Sequence, residues 1–349
     1  MDLSLFFFGD DADSTRDGYR LLMDAARFAD EQGFAAVWTP ERHFHRFGGR
    51  YPSPAVLAAA VAAVTSRISV RAGSVVAPLH HPVRIAEEWS VVDNLSGGRA
   101  GVAFASGWHA VDFTLQPENY AQRKQVLVDT VEKVRRLWRQ ESVEFVDGSG
   151  DRTPVRVYPA PTRPDVPVWL TSAGHADTFR TAGRLGAGVL THLLGQDPDE
   201  LAGKIREYRR ALPGSAGPGH VVLMLHTLLG DDREAVREKV REPFSAYLRS
   251  SIELIMRNSG DVVPGVNFDE LTPEDVDSMV KMSFDRYFDT SGLFGTVADG
   301  TRMLERLVDI GVDEVACLID FVDDTDAALA GLDHLAELRR TWAAMTAGE

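Results

Sequence analysis

Proton-exchanging side chains cluster at one recurring place in this sequence, the end of an apolar segment that reads as a strand. Arg42 and His43 follow one such segment, His109 follows another, and His192 closes a third. An imidazole near its ordinary pKa gains and loses protons around neutral pH, and a guanidinium stabilises negative charge. We therefore predict Arg42, His43, His109 and His192 as catalytic residues, although a structural role at the rim also fits the last two.

Small and hydroxyl-bearing residues follow two of these segments and suggest an anion site. Ser106-Gly107-Trp108 ends one strand, and Thr171-Ser172-Ala173-Gly174-His175 ends the next and opens a helix. Exposed backbone N–H groups at a helix N-terminus favour a phosphate. Each loop alone is also compatible with simple helix initiation. Gly73-Ser74, inside a β-branched strand, indicates that something packs against the backbone there.

Eight apolar segments of strand length alternate with helical patterns along the chain. The predicted strands are 3–8, 35–40, 68–77, 100–106, 166–172, 188–194, 220–230 and 313–321. Such alternation predicts an α/β fold, a (β/α)8 TIM barrel, in which all carboxyl ends of the strands meet at one mouth. A doubly wound open sheet is the alternative, but the first turn has no Gly-x-Gly-x-x-Gly pattern.

The alternation predicts one barrel domain over residues 1–349 with two interruptions. Residues 141–165 form a predicted hairpin insertion with an Asp-Gly turn signal. Residues 243–296 form a predicted lid-like helical insertion, with helices at 243–257 and 273–288 that follow a separate helix at 232–241.

Composition excludes several functional classes. The net charge of −15 disfavours nucleic acid and anionic membranes, and the sequence has no long apolar run. A single cysteine, Cys317, allows no internal disulfide, and no secretory signal is evident, so a cytoplasmic location is expected. No metal is predicted, since His175 and His192 lack nearby carboxylates; a metal-dependent barrel hydrolase stays a distant alternative.

Five stretches of the chain resemble luciferase-like flavin monooxygenases, in particular the branch found beside polyketide and nonribosomal peptide synthases. They are GFAAVWTPERHF (33–44), AGSVVAPLHHPVRIAEEWSVVDNLSGGR (72–99), ASGWH (105–109), PVWLTSAGHADTFRTAGRLGAGVLTHLLGQ (167–196) and FGT (294–296). The resemblance implies a luciferase-like barrel that binds reduced FMN (FMNH2) in its mouth. It also implies a non-proline cis peptide near Gly73-Ser74, under the flavin ring.

The resemblance assigns further roles. It places FMN contacts at Gly73, Ser74, Ser106, Gly107, Trp108 and the run from Thr171 through Ser172, Ala173 and Gly174 to His175. Arg42 stands where luciferases have a first histidine, Ala105 where they have a reactive cysteine, and Ser106 where they have a phosphate-binding arginine. We therefore do not expect light emission.

The function that follows is a two-component monooxygenase. A separate flavin reductase would supply FMNH2, and O2 would be used to oxygenate a small-molecule or carrier-protein-bound biosynthetic intermediate. In this hypothesis Arg42 and His43 stabilise or protonate the reduced oxygen, and His109 or His192 is a second acid–base group. The alternatives are an O2-independent flavin or F420 oxidoreductase and a non-catalytic flavin-binding protein. Family analogy favours a homodimer joined through the helices after the first three strands.

Overall fold

Eight parallel strands close into a barrel. The computed structural model describes residues 1–9, 18–46, 48–256, 272–322 and 324–347. The barrel strands are β1 (Asp2–Phe6), β2 (Ala36–Thr39), β3 (Ser69–Val76), β4 (Ala100–Ala105), β7 (Val168–Ser172), β8 (Gly188–His192), β9 (Val221–Leu229) and β11 (Glu314–Leu318). They pair in chain order, and β11 returns to β1. The predicted (β/α)8 barrel is confirmed, and the open-sheet alternative is wrong.

Helices form an outer ring around these strands. They are α1 (Arg20–Gln32), α2 (Pro54–Val64), α3 (Pro82–Ser96), α4 (Arg123–Trp138), α5 (Ala176–Arg184), α6 (Pro198–Ala211), α7 (Arg233–Met256), α8 (Pro273–Thr290), α9 (Val297–Asp309) and α10 (Thr325–Thr346). The sequence reading missed α2, whose PAVLAAAVAAV is apolar on nearly every face and so has no helical periodicity. Among the described residues, no helix has both the length and the apolar character required to cross a bilayer.

The late part of the chain differs from the prediction in one respect. Helix α7 is continuous from Arg233 to Met256, whereas two helices were expected on either side of Pro243. Phe244, Tyr247 and Leu248 continue the buried face beyond the proline, so their packing outweighs the lost backbone hydrogen bond. A short strand, β10 (Leu293–Gly295), then pairs with the end of β9. The rest of the 243–296 segment includes residues 257–271, which lie outside the described residues.

Residues 141–165 contain an antiparallel pair, β5 (Val143–Val146) and β6 (Arg152–Val155), outside the barrel. Asp147 accepts hydrogen bonds from the backbone of Ser149 and the hydroxyl of Thr153, which fixes the turn.

A buried ion pair fills the end of the barrel opposite the mouth. Arg71 Nη1 donates to Glu314 Oε2 at 2.8 Å, and its guanidinium lies between the rings of Trp38 and Trp169, 5.0 and 4.8 Å from their centroids. Ser4 donates to the same carboxylate at 2.5 Å. Because the carboxylate is paired, its burial is tolerated and this end of the barrel is closed by packed side chains. Trp38 is fully buried in this layer.

Candidate active site

Arg42 lies buried at the mouth and holds one end of a polar network. Its Nη1 donates to Asp112 Oδ2 at 2.7 Å, and its guanidinium carbon lies 5.5 Å from the centroid of the Trp108 ring. The other carboxylate oxygen of Asp112 is 3.2 Å from Nδ1 of His109. The structure therefore brings together three predicted residues from two loops, Arg42, Trp108 and His109, through an aspartate that the sequence reading did not select.

Two donors of Arg42 remain unused. The residue is only 4% exposed, yet neither Nε nor Nη2 has a partner within the part of the chain that the structure describes. Leaving a buried donor unsatisfied costs about 1–3 kcal/mol, so such atoms mark places where a ligand accepts hydrogen bonds. Burial and the charge of Arg42 lower the pKa of His109, although Asp112 opposes the shift.

Glu41 holds His43 in a second network. Glu41 Oε1 is 2.8 Å from Nε2 of His43 and 2.6 Å from Nε2 of His80, and Oε2 accepts the backbone N–H of Val76 at 2.7 Å. Burial opposes the charged carboxyl, but the hydrogen bonds from both histidines outweigh it and lower the pKa of Glu41. The neighbouring His81 is the N-cap residue of α3, whereas His80 contacts Glu41.

Gly73 and Ser74 lie on the inner wall of the barrel. The Gly73-Ser74 peptide is cis, as expected, and the pairing of β3 with β4 shifts register between Gly73 and Val75. A Cβ on Gly73 would lie 2.6 Å from the Phe6 ring and 3.0 Å from Trp38 Cβ. Ser74 Oγ is 2.6 Å from Thr171 Oγ1, which links this wall to the loop after β7.

The loop after β7 exposes backbone at the start of α5. Gly174 has a φ of +110°, and its N–H donates to Ser172 Oγ at 3.2 Å. His175 is the exposed N-cap residue, and Ala173 is exposed beside it. Lys204 Nζ on α6 lies 3.5 Å from where a Gly174 Cβ would be and donates to Gln196 Oε1 at 2.8 Å. The lysine was missed because it is a helix residue 30 positions from the glycine.

The side chains of the remaining predicted residues make few polar contacts. Nδ1 of His192 accepts the backbone N–H of Leu194 at 3.2 Å, its carbonyl accepts from Gln196 Nε2 at 2.7 Å, and burial lowers the pKa of His192 to about 4. Ser106 Oγ donates to the adjacent Gly107 carbonyl at 3.4 Å. Gly107 has a φ of +69°, and a Cβ there would meet Phe113 and Val76 at 2.9 Å.

The residues present fit a flavin mononucleotide. Gly73 leaves no side chain on the inner wall, and Lys204 places an ammonium group next to Gly174 at the start of α5. Two buried donors of Arg42 have no acceptor among the described residues. These features suit the ring, the phosphate and a polar oxygen of a flavin mononucleotide, respectively. No group of three or more His, Cys, Asp or Glu among the described residues has an arrangement that suits a metal ion.

Comparison with known proteins places the chain in a family. Residues 1–314 match the family model described as luciferase-like monooxygenase, and the chain belongs to this family. It is 24% identical to the oxygenase component of the flavin-dependent trigonelline monooxygenase of Acinetobacter baylyi over 263 residues, which are 70% of each chain. It is 29% identical to an uncharacterised Mycobacterium tuberculosis protein over 198 residues, covering 50% of this chain and 69% of that one.

Two solved structures share the fold. The monooxygenase RslO1 from Streptomyces bottropensis superposes with a TM-score of 0.75 at 22% identity and covers 97% of this chain and 98% of its own. The oxygenating constituent of 3,6-diketocamphane monooxygenase from Pseudomonas putida, in complex with FMN, has a TM-score of 0.75 at 16% identity and covers 96% of each chain. The expectation of a luciferase-like barrel enzyme of the monooxygenase class is thus confirmed.

Proposed function

We propose that this protein is the oxygenase component of a two-component system that uses FMNH2 and O2 to oxygenate a small organic or carrier-bound biosynthetic intermediate. The observation that carries the proposal is Arg42, a buried guanidinium at the mouth with two unpartnered donors. Preorganised donors of this kind stabilise negative charge that develops on an acceptor oxygen. Bound reduced flavin supplies the activation of O2.

Each part of the site has a proposed task. Gly73 and Ser74 support the flavin ring, and Trp108 covers it from the loop after β4. Gly174 and Lys204 bind the phosphate. The loop around Gly174 is shaped by its other members, Thr171, Ser172, Ala173 and His175. Ser106 and Gly107 contribute from the neighbouring loop after β4. Arg42 stabilises charge on the reduced oxygen, and His43, held at Nε2 by Glu41, donates a proton to it. His109 and His192 are placed to bind or orient the substrate.

The partners and location follow from the same hypothesis. A separate reductase supplies the reduced flavin, in line with the A. baylyi relative, which is an oxygenase component. Cys317 is a fully buried free thiol, which suits the reducing cytoplasm.

We also propose a homodimer through the packed helices α2 and α3, because Val56, Val91 and Leu95 expose apolar side chains on them. Val91→Glu with Leu95→Glu should yield a monomer by sedimentation.

The proposed activity is tested by mixing the protein with FMNH2 without oxygen, then adding O2 and following flavin reoxidation and hydrogen peroxide release. The wild type should delay peroxide release by at least about tenfold relative to free FMNH2. Arg42→Met and His43→Ala should bind FMN but lose the delay. Absence of FMN binding would overturn the proposal. Binding without any effect of O2 would favour the O2-independent oxidoreductase or the non-catalytic flavin-binding protein.

A further inference from the structure

One oxygen atom of a buried carboxylate joins two histidines that differ in their access to solvent. The Glu41 side chain is fully buried, and its Oε1 is within hydrogen-bond distance of Nε2 of both His43 and His80. The side chain of His43 is 13% exposed and that of His80 is 32% exposed. A proton that passes between the two rings therefore needs only one intermediate atom.

The His80 side of this arrangement opens outside the barrel. His80 lines a cavity of about 30 Å³, which is enough space for a water molecule. The wall of the cavity comes from the start of α2 and from α3, and includes Ser53, Glu88 and Trp89. His43, by contrast, follows β2 at the mouth of the barrel. The three side chains thus connect a water-sized pocket among the outer helices with the mouth.

We propose that His80, Glu41 and His43 form a proton relay that carries protons from solvent to the reaction at the barrel mouth. The proposal rests on the proposed oxygenase function, because oxygenation with O2 consumes protons in a site from which water must be excluded. The relay allows proton supply without opening the mouth to water.

Each step of the relay conserves protons and charge. A proton leaves Nε2 of protonated His80 for Oε1 of Glu41, one leaves that oxygen for Nε2 of His43, and one leaves Nδ1 of His43 for the reduced oxygen. His80 becomes neutral and Glu41 is again a carboxylate, while His43 enters as the Nδ1–H tautomer and ends as the Nε2–H tautomer that donates to Glu41. Exchange of the ring protons of His43 with water then restores the Nδ1–H tautomer before the next turnover. His80 then takes up a proton from water in its cavity.

The charges around His80 favour its protonated form. Burial alone would lower the pKa of His80, but the hydrogen bond and charge of Glu41 and the charge of Glu88 on α3 raise it above its ordinary value. Within the described part of the chain, the hydrogen-bond partners of the Glu41 carboxylate are the two imidazoles and the Val76 amide. The Phe44 ring, 5.7 Å from His43 between centroids, is an uncharged neighbour.

Titration of the flavin-free protein tests the coupling directly. Nitrogen NMR of the histidine rings should show that Glu41→Gln lowers the pKa of His80 and changes the tautomer balance of His43. His80→Gln, which keeps a hydrogen bond to Glu41 but cannot carry the proton, should also shift the His43 signals. His81→Asn, an adjacent variant that retains an N-cap acceptor, is the control. Independent titration of the two rings would overturn the relay.

The second test uses turnover. His80→Gln and His80→Ala should bind FMN as the wild type does but slow the consumption of O2 by the bound reduced flavin about tenfold, most strongly at high pH, where solvent supplies few protons. Added imidazole should restore the rate of His80→Ala in proportion to its concentration. Wild-type rates at every pH and no imidazole effect would overturn the relay. A wild type that shows no flavin reaction with O2 would instead overturn the proposed function, and the NMR result would still stand on its own.

Discussion

Arg42 and Asp112 form a buried ion pair that joins the loop after β2 to the loop after β4, with 2.7 Å between Nη1 and Oδ2. Both side chains are less than a tenth exposed, and His109 contacts the second oxygen of the same carboxylate. The aspartate therefore orients both the guanidinium of Arg42 and the imidazole of His109 at the mouth. The pair matters more for the position of the guanidinium than for net stability, since desolvation offsets much of the attraction within a buried pair.

Asp112→Asn should be strongly disruptive, because it leaves the charge of Arg42 buried and unpaired. Removing one partner of a buried ion pair costs about 3–5 kcal/mol, and we expect a loss of that order in the free energy of unfolding measured with urea. The delay in peroxide release should disappear as well. Asp165→Asn, which removes the partner of Arg139 from an exposed pair, is the matched control and should change neither quantity. Equal stability of the two variants would contradict the burial argument.

Gly73→Ala should damage the barrel wall where the flavin ring is proposed to lie. The added Cβ would come within 2.6 Å of Phe6, and overpacking of this kind costs about 1–3 kcal/mol. FMN affinity, measured by fluorescence quenching, should fall. Gly148→Ala, where a Cβ meets nothing within 4 Å, should leave both stability and affinity nearly unchanged. If Gly73→Ala binds FMN like the wild type, the ring does not lie against this residue.

Lys204→Met should separate phosphate binding from ring binding. Charge-assisted hydrogen bonds contribute about 1.5–3 kcal/mol, so the affinity for FMN should fall at least about tenfold. Riboflavin, which has no phosphate, should bind the variant and the wild type equally. Arg210→Met on the same helix controls for the loss of a positive charge. A parallel loss of riboflavin affinity would show that Lys204 acts through the fold rather than on the phosphate.

The sequence was informative wherever a local pattern carried the signal. All eight barrel strands were predictable from short apolar runs, and Gly73-Ser74 was conspicuous as a small pair inside one of them. The resemblance located Arg42 and His43. Helix α2 was missed because alanine and valine on every face give no periodicity, although Ser53-Pro54 is a typical helix start.

The partners of the site residues were not predictable, since pairing across loops is set by the closed barrel. Glu41 and His80 are 39 residues apart, and Arg42 and Asp112 are 70 apart. In the sequence, Glu41 and Asp112 each look like an ordinary surface charge. Only when the ends of β2, β3 and β4 lie side by side do Glu41 and Asp112 become the groups that fix the proposed catalytic side chains.

His192 should weaken folding in mild acid. Its ring is largely desolvated, which lowers its pKa to about 4, whereas the unfolded chain has an ordinary histidine near 6.5. Between these values the unfolded state binds more protons, so the stability contributed by neutral His192 is present above about pH 6.5 and is lost as the pH falls through about 4. We expect a loss on the order of 2 kcal/mol, reduced from the full shift because the ring keeps some exposure.

The pH dependence of unfolding in His192→Asn isolates this effect, since asparagine retains an acceptor for the Leu194 N–H and does not titrate. The variant should lose less stability than the wild type between neutral pH and pH ~4.

The low pKa of His192 also bears on its role in catalysis. A ring that is neutral at pH 7, with Nδ1 already bound, presents Nε2–H as a fixed hydrogen-bond donor, which favours substrate orientation over proton transfer for His192. If the free energy of unfolding of the two proteins depended on pH in the same way, the His192 ring would be solvated. His192 would then again be a candidate acid–base group.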